Sequence, residues 1–423
     1  MQFSKLLAIA AVTGVTFGAS SNNSTLTAAT PTAASGCSFS SFTATNNAQV
    51  ASVAACATVV GDVTIQGAGL DTINLNGVKQ IFGDLNIKNA NLTTAINAPD
   101  LQLVSGDLNL EELQILSSLN LAQLTTVGTL QFNALPALER AGLTSGITTA
   151  DSIVISDTGL TSLEGINVFK LKVFNVNNNK DIETIDSGLI AVTDTLSISY
   201  NSDNVDVILN QLTSANNLDL QRINSFSAGN LSAINDSLVI TSSNVDKIEF
   251  KNLESVGKSL TIDQNGEVEE LDFPKLTSVG GALQIGDNDQ LKSFSGFPKL
   301  KTIGGSVNIS GSFDNGTFPA LSSVAGGFTL SSEDGDLSCK EFDKLNSSGD
   351  IKGDKYACSG AGGSSSSSSS KKGNSNGSSS DSSTSSGSRS SASSSSRSND
   401  APSVQSSLSS IMVLFASFGI VLY

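Results

Sequence analysis

Apolar and polar residues alternate in short runs that recur along most of the chain. The clearest are Leu260-Thr-Ile262, Leu283-Gln-Ile285, Val307-Asn-Ile309 and Phe328-Thr-Leu330. Each follows a second motif: Phe250-Lys-Asn-Leu253-Glu-Ser-Val256-Gly257, Phe273-Pro-Lys-Leu276-Thr-Ser-Val279-Gly280, Phe297-Pro-Lys-Leu300-Lys-Thr-Ile303-Gly304 and Phe318-Pro-Ala-Leu321-Ser-Ser-Val324. Upstream the alternating run returns at Val63-Thr-Ile65, Leu85-Asn-Ile87, Leu108-Asn-Leu110, Leu130-Gln-Phe132, Ile153-Val-Ile155, Phe174-Asn-Val176, Leu196-Ser-Ile198, Leu218-Asp-Leu220 and Leu238-Val-Ile240. Successive runs start 20 to 24 residues apart. A period that short cannot hold two helices.

Apolar-polar-apolar alternation is the two-residue period of a strand with one buried face. Asn stands three residues after the second apolar position at Asn179, Asn201, Asn265 and Asn288. The pattern L-x-L-x-x-N-x-x-L is that of a leucine-rich repeat. An inward Asn there can bond the backbone of the next coil and so be satisfied while buried. The L-x-x-V-G motif supplies another short strand, and its Gly permits a positive φ at the corner. The reading is an all-β fold, a right-handed parallel β-solenoid of about thirteen coils over residues 37–358, with short capping helices and a disordered Ser-rich tail.

The chain order fits a secreted protein. Residues 1–20 read as a signal peptide, with Lys5, an apolar Leu6–Val15 core and small residues Gly18, Ala19 and Ser20. The alternative, a structured N-terminal helix, ranks lower. Residues 21–36 form a flexible leader. Asn46–Ala57 suits a helix with Val50 and Val53 turned to the first coil, and Cys339–Leu345 suits another at the far end. Such caps are required because an open solenoid end exposes core and strand edge. Residues 359–399 are low complexity and cannot bury a core, which fits a disordered or O-mannosylated stalk. Residues 400–423 read as a GPI-attachment propeptide: small residues, a polar spacer, then the apolar tail Ile411–Tyr423. Asn399 is the attachment residue chosen, with Ser398 and Gly-rich sites further back as alternatives; a permanent transmembrane anchor is the weaker reading. Sequons for N-glycosylation stand at Asn22, Asn23, Asn91, Asn230, Asn235, Asn308, Asn315, Asn346 and Asn376.

The net charge of −16 and the lack of a basic patch argue against nucleic acid. With no His in the chain, Ser-His-Asp and Cys-His nucleophiles and the commonest metal ligand are gone. The four Cys flank the array. Four Cys allow three connectivities, but thirteen coils at about 4.8 Å hold the two ends roughly 60 Å apart. A disulfide needs Cα atoms about 4.4–6.8 Å apart. The expected pairs are therefore Cys37–Cys56 and Cys339–Cys358.

Several stretches together carry a family likeness: Cys56-Ala-Thr-Val-Val-Gly61-Asp-Val-Thr-Ile65, Phe174-Asn-Val-Asn-Asn-Asn179, the Val279-Gly-Gly281 and Ile303-Gly-Gly305 corners, and Gly353-Asp-Lys-Tyr-Ala-Cys358. With the Ser-rich stalk and the apolar tail, the chain resembles the fungal extracellular-mutant and sporulation-specific cell-wall family, whose repeats are similar to the receptor L-domain. The resemblance implies a glycosylated GPI protein of the plasma membrane and cell wall, needed for wall integrity. It implies no catalytic activity and carries over no catalytic residues.

Three features bear on chemistry. Asp62, Asp84 and Asp107 each follow a Gly at the same point of three successive coils. Stacked at about 4.8 Å they could hold a cation such as calcium; the plainer reading is that each bonds its own corner backbone. The run Glu267, Glu269, Glu270 and Asp272 reads as a solvated face rather than a site. The outward strand centres are Thr64, Asn86, Asn109, Gln131, Val154, Asn175, Ser197, Asp219, Val239, Thr261, Gln284, Asn308 and Thr329, of which only Asp219 is acidic and none is aromatic or basic. A polysaccharide-cleaving groove needs paired carboxylates. A non-catalytic wall-organising protein therefore ranks first, a receptor-like ligand- or glycan-binding ectodomain second, and a polysaccharide-active enzyme third. The reading calls for no cofactor. Its partners are the plasma membrane through the lipid and, in the wall, glucan or mannoprotein, with the oligomeric state open. Truncation after Ser410 removes the tail that directs lipid transfer, so the truncated protein is expected in the medium; retention on membranes would contradict the tail assignment, and immunoblotting of medium and membrane fractions reads the result.

Overall fold

The computed structural model describes residues 30–333 and 336–360, together with the backbone of a strand at Ser365–Ser369. The signal peptide, most of the leader, most of the stalk and the GPI propeptide lie outside these residues. The chain is a β-solenoid in which each alternating run pairs in parallel with the run one coil on. Val63, Thr64 and Ile65 pair with Leu85, Asn86 and Ile87; these pair with Leu108, Asn109 and Leu110, and the register continues through Leu260, Leu283, Val307 and Phe328 to Tyr356. The pairing of strands a full period apart is why equivalent residues form columns. Inward positions such as Ile65, Leu218, Ile262, Ile285 and Ile309 are completely buried. Burial of each such side chain stabilises by roughly 1.5–3 kcal/mol.

The L-x-x-V motifs form the second pairing line expected from sequence, with Val256, Val279, Ile303 and Val324 in register. The reason for their Gly is different from the one expected. Gly257, Gly280 and Gly304 are not needed for a positive φ; a Cβ on any of them would lie 1.9–2.1 Å from the carbonyl oxygen of the equivalent residue one coil back. The corner Gly is a requirement of close approach between coils. At the corners positive φ is confined to Gly61 (104°) and Gly83 (153°) of the first coils; among residues other than Gly it falls at the end of the main strand, in successive coils at Asn89, Glu112, Ala134, Asp157, Asn178, Tyr200, Arg222, Ser242, Gln264 and Asp287, with φ between 49° and 58°.

That left-handed residue precedes a buried side chain, which from Thr158 onward is polar at Thr158, Asn179, Asn201, Ser243, Asn265 and Asn288 and apolar at Ile223. The Asn179 carboxamide oxygen accepts from the Thr158 N–H at 3.1 Å, and its amide donates to the Ile155 carbonyl at 3.1 Å. Asn201 donates to the Val176 carbonyl at 2.9 Å, and Asn288 to the Ile262 carbonyl at 3.0 Å. The Asn therefore bonds the backbone of the preceding coil, not that of the next, while the Asn179 and Asn265 amides also donate forward to the side chains of Asn201 and Asn288 at 3.0 and 3.1 Å. In the earlier coils Ala90, Leu113 and Leu135 occupy the same column and are buried without polar groups. A second column is aromatic. Phe250, Phe273 and Phe297 stack with ring centroids 5.2 and 4.8 Å apart, and Phe318 continues the series at 5.8 Å from Phe297.

Both ends are closed. Helix α1 (Asn47–Ala54) starts at Asn46, whose side chain accepts from the Gln49 N–H, and buries Val50 and Val53. Helix α2 (Lys340–Ser348) ends on Gly349 at φ 82° and buries Phe342 beside Phe318 and Phe328. Cys37 is bonded to Cys56 and Cys339 to Cys358, with Cα atoms 5.7 and 5.9 Å apart. At the C-terminal edge, Ser365–Ser369, inside the segment read as stalk, pairs antiparallel with Lys355–Ser359. The exposed edge of the last coil thus takes up the first part of the Ser-rich segment.

Two substitutions test the columns. Asn265→Ala removes the acceptor for the Ser243 N–H and the donor to the Ile240 carbonyl, each at 3.0 Å and buried. A loss of about 2–4 kcal/mol is expected in urea unfolding, and an unchanged midpoint would contradict the ladder. Ile285→Asp puts an unpaired charge into a completely buried position and is expected to abolish secretion.

Candidate functional site

The main parallel ladder presents its outward columns as one polar face. The strand centres from Thr64 to Thr329 stand in register along it, half-buried by their neighbours except for the exposed Asn308. The flanking column runs through Gln66, Lys88, Glu111, Asn133, Ser156, Asn177, Ser199, Gln221, Thr241 and Asp263, of which Lys88, Glu111 and Asp263 are charged. Side chains bond along the face, as in Ser156 donating to Asn177 at 2.7 Å and Gln221 donating to Asp219 at 3.0 Å.

Two carboxyls on this face are perturbed. Burial pushes the Asp219 carboxyl above its ordinary value, against the opposing effect of hydrogen bonds from Gln221 and Ser197. Burial and the negative charge of Asp287 do the same to Asp263. Asp263 stands two coils along and one column over from Asp219, and the carboxyl that acts on it is that of Asp287 in the following coil.

The three stacked aspartates are engaged with backbone. The Asp84 N–H donates to the Asp62 carboxylate at 3.0 Å and the Asp107 N–H to the Asp84 carboxylate at 2.9 Å. Asp62 and Asp84 therefore each cap the corner of the next coil instead of their own, because parallel stacking sets the carboxylate against that N–H. A Cβ at Gly106 would lie 2.0 Å from the Asp84 carboxylate oxygen, which explains why Gly precedes Asp here. Among the described residues no cluster of three or more His, Cys, Asp or Glu side chains is placed to hold a metal ion. The acidic run is also more engaged than its composition suggests. Lys247 pairs with Glu270 at 3.0 Å, Glu249 at 3.2 Å and Asp272 at 3.4 Å, and Lys251 with Glu249 at 2.7 Å. These ion pairs are exposed and contribute little to stability.

Asn91, Asn230, Asn235, Asn308 and Asn315 are exposed, and Asn346 is half-buried on α2. The hydroxyl of Thr93, third residue of the Asn91 sequon, is buried and donates to the Leu70 carbonyl at 2.7 Å. Asn22, Asn23, Asn376 and Asn399 lie outside the described residues.

One feature has no counterpart in the sequence reading. A second, shorter sheet runs through Thr72–Asn74, Ala95–Asn97 and Ser118–Asn120, and another through Thr184–Asp186, Asp206–Ile208 and Ser225–Ser227. Between them the line is broken by loops 139–146 and 161–167, joined by an isolated bridge from Ile147 to Ile166. The break encloses a cleft of about 420 Å³ lined by Arg140, Thr144, Ser162, Glu164 and Asn167 among others. The available signal was the loss of the L-x-x-V-G motif between Phe132 and Ile153, with Gly142 and Gly146 in its place.

A capped, disulfide-closed solenoid with a mostly uncharged polar face and exposed sequons defines a class of extracellular repeat protein. Comparison with known proteins narrows it. The chain is 38% identical over 325 residues to the cell surface GPI-anchored protein ECM33 of Candida albicans, covering 76% of this chain and 78% of that protein. It is 38% identical over 304 residues to the cell wall mannoprotein PST1 of Saccharomyces cerevisiae, covering 72% of this chain and 68% of the other. It is 31% identical over 332 residues to the cell wall protein ecm33 of Schizosaccharomyces pombe, covering 78% of each. No family model and no solved structure matches the chain. The protein belongs to the ECM33 family of fungal GPI-anchored cell-wall proteins, and its place is the cell surface and wall.

The raised Asp219 carboxyl yields a prediction with a definite sign. A carboxyl whose folded-state pKa is raised costs stability where it is ionised, and that cost disappears as pH falls below the raised value. Asp219→Asn is expected to raise the thermal midpoint at pH 7, with the gain shrinking in acid. A midpoint lowered at pH 7 would contradict the assignment of burial as the dominant effect.

Proposed function

We propose that this protein is a non-catalytic organiser of the fungal wall, with wall glucan or mannoprotein as its contact. The anchor holds the solenoid at the membrane surface, and its long polar face meets wall polymer. The observation that carries the non-catalytic reading is the make-up of that face: among the strand centres Asp219 is the only acid, and none is basic or aromatic. Hydrolysis of a glycosidic bond by the usual route needs an acid and a second carboxylate close by, and no strand centre other than Asp219 supplies one. The relatives support the location and the wall context, since their names place them at the cell surface or in the wall.

Deletion of the gene tests the role. Hypersensitivity to wall-binding dyes and a changed ratio of wall sugars are expected, both restored by the intact gene. A deletion strain with a normal wall would overturn it. Release of reducing ends from β-glucan or mannan by the purified protein would overturn the non-catalytic part.

A further inference from the structure

We infer that the cleft at the break in the second line of strands is a binding site for a neutral oligosaccharide built of hexose units. Arg140, Glu164 and Asn167 would bond ring hydroxyls, and Phe169 would offer a surface to the apolar face of a sugar. The inference rests on the wall-contact reading and gives it a location apart from the main polar face.

The cleft is built into the fold. This side of the solenoid carries three short sheets; between the first and the second, two successive coils lack the strand together. The backbone that replaces it depends on three glycines with positive φ, Gly142 at 64°, Gly146 at 78° and Gly165 at 86°. A Cβ at Gly142 would lie 1.9 Å from the Leu119 carbonyl oxygen, at Gly165 2.4 Å from the Leu143 carbonyl oxygen, and at Gly146 2.4 Å from the Asn167 amide nitrogen. The two loops are also tied together: the Ile147 N–H donates to the Gly165 carbonyl at 2.7 Å, and the Asn167 N–H to the Ile147 carbonyl at 2.8 Å.

The lining selects the ligand. A volume of about 420 Å³ falls in the range of small-molecule sites, about 300–1,000 Å³. A guanidinium supplies donors, a carboxylate acceptors, and an amide and two hydroxyls both. Sugar hydroxyls donate and accept together, so this mixture suits them. One cation and one anion in the lining oppose each other, which disfavours a strongly charged ligand, and the polar rim disfavours a purely apolar one. Two residues beyond Asn167 in the chain, Phe169 is 58% exposed, its ring edge 3.5 Å from where a Cβ on Gly188 would lie, and Ile190, whose N–H donates to the Phe169 carbonyl at 2.7 Å, is 39% exposed. An exposed ring two residues along the chain from Asn167 is an aromatic surface of the kind that the strand centres of the main face lack.

The test uses the full-length anchored protein, released from cells by a phosphatidylinositol-specific lipase and titrated calorimetrically with a β-1,3-linked glucose hexamer and an α-1,6-linked mannose tetramer. Saturable binding of one series is expected, and which series binds identifies the source as glucan or mannan. Glu164→Ala and Phe169→Ala are each expected to weaken that binding about tenfold or more with the thermal midpoint unchanged. Phe169→Ala alters a mostly exposed ring and serves alone if Glu164→Ala is not secreted. Absence of binding by both series, or binding by the variants equal to that of the parent, overturns the inference. The dye sensitivity of the deletion strain reads the wall role separately, so failure of the cleft leaves that role standing, and the reverse.

Discussion

Every coil of this protein must lie about 4.8 Å from the next, the spacing of parallel hydrogen-bonded strands, and the rest of the structure follows from that spacing. At such a separation a side chain's nearest neighbours are its own counterparts one coil away. A residue type that suits one coil therefore has to suit a column. Gly257, Gly280 and Gly304 exist because a Cβ would collide with the carbonyl of the coil behind. Asn179, Asn201, Asn265 and Asn288 exist because an inward carboxamide can satisfy backbone groups of the adjacent coil that face the core. The phenylalanines stack for the same reason.

A structure supported only by neighbours is weakest where a coil has one neighbour. Helix α1 and the Cys37–Cys56 bond close the first coil, and helix α2 and the Cys339–Cys358 bond close the last. Each bond closes a loop with a sequence separation of 19, for which chain entropy gives roughly 3 kcal/mol. That stabilisation falls at the two ends, where fraying begins. Between them the described coils present a long, mostly polar outer face.

The columns were legible in the sequence because strand alternation and a fixed period are one-dimensional signals. Leu260-Thr-Ile262 and its counterparts gave the register, the positions of the Cys gave the pairing, and Val50 and Val53 marked the cap. Directions between coils were not legible. Nothing in Asn265 tells which neighbouring coil it bonds, nor in Asp62 that it caps the coil ahead. The purpose of the corner Gly was misread because a Gly codon does not distinguish a φ requirement from a clearance requirement. The cleft was missed because it lies where the repeat fails, and Arg140, Glu164 and Asn167 belong to no column.

Amide hydrogen exchange along the chain, with and without reduction of the disulfides, tests the dependence on neighbours most directly. With the disulfides intact, the slowest exchange should fall on the main-strand amides of the middle coils, such as those of Leu196, Leu218 and Ile262. After reduction, protection should be lost first at Ser38–Ala44 and Lys355–Ser359 and then inward from both ends. Protection lost first in the middle coils, or uniformly along the chain, would contradict the account.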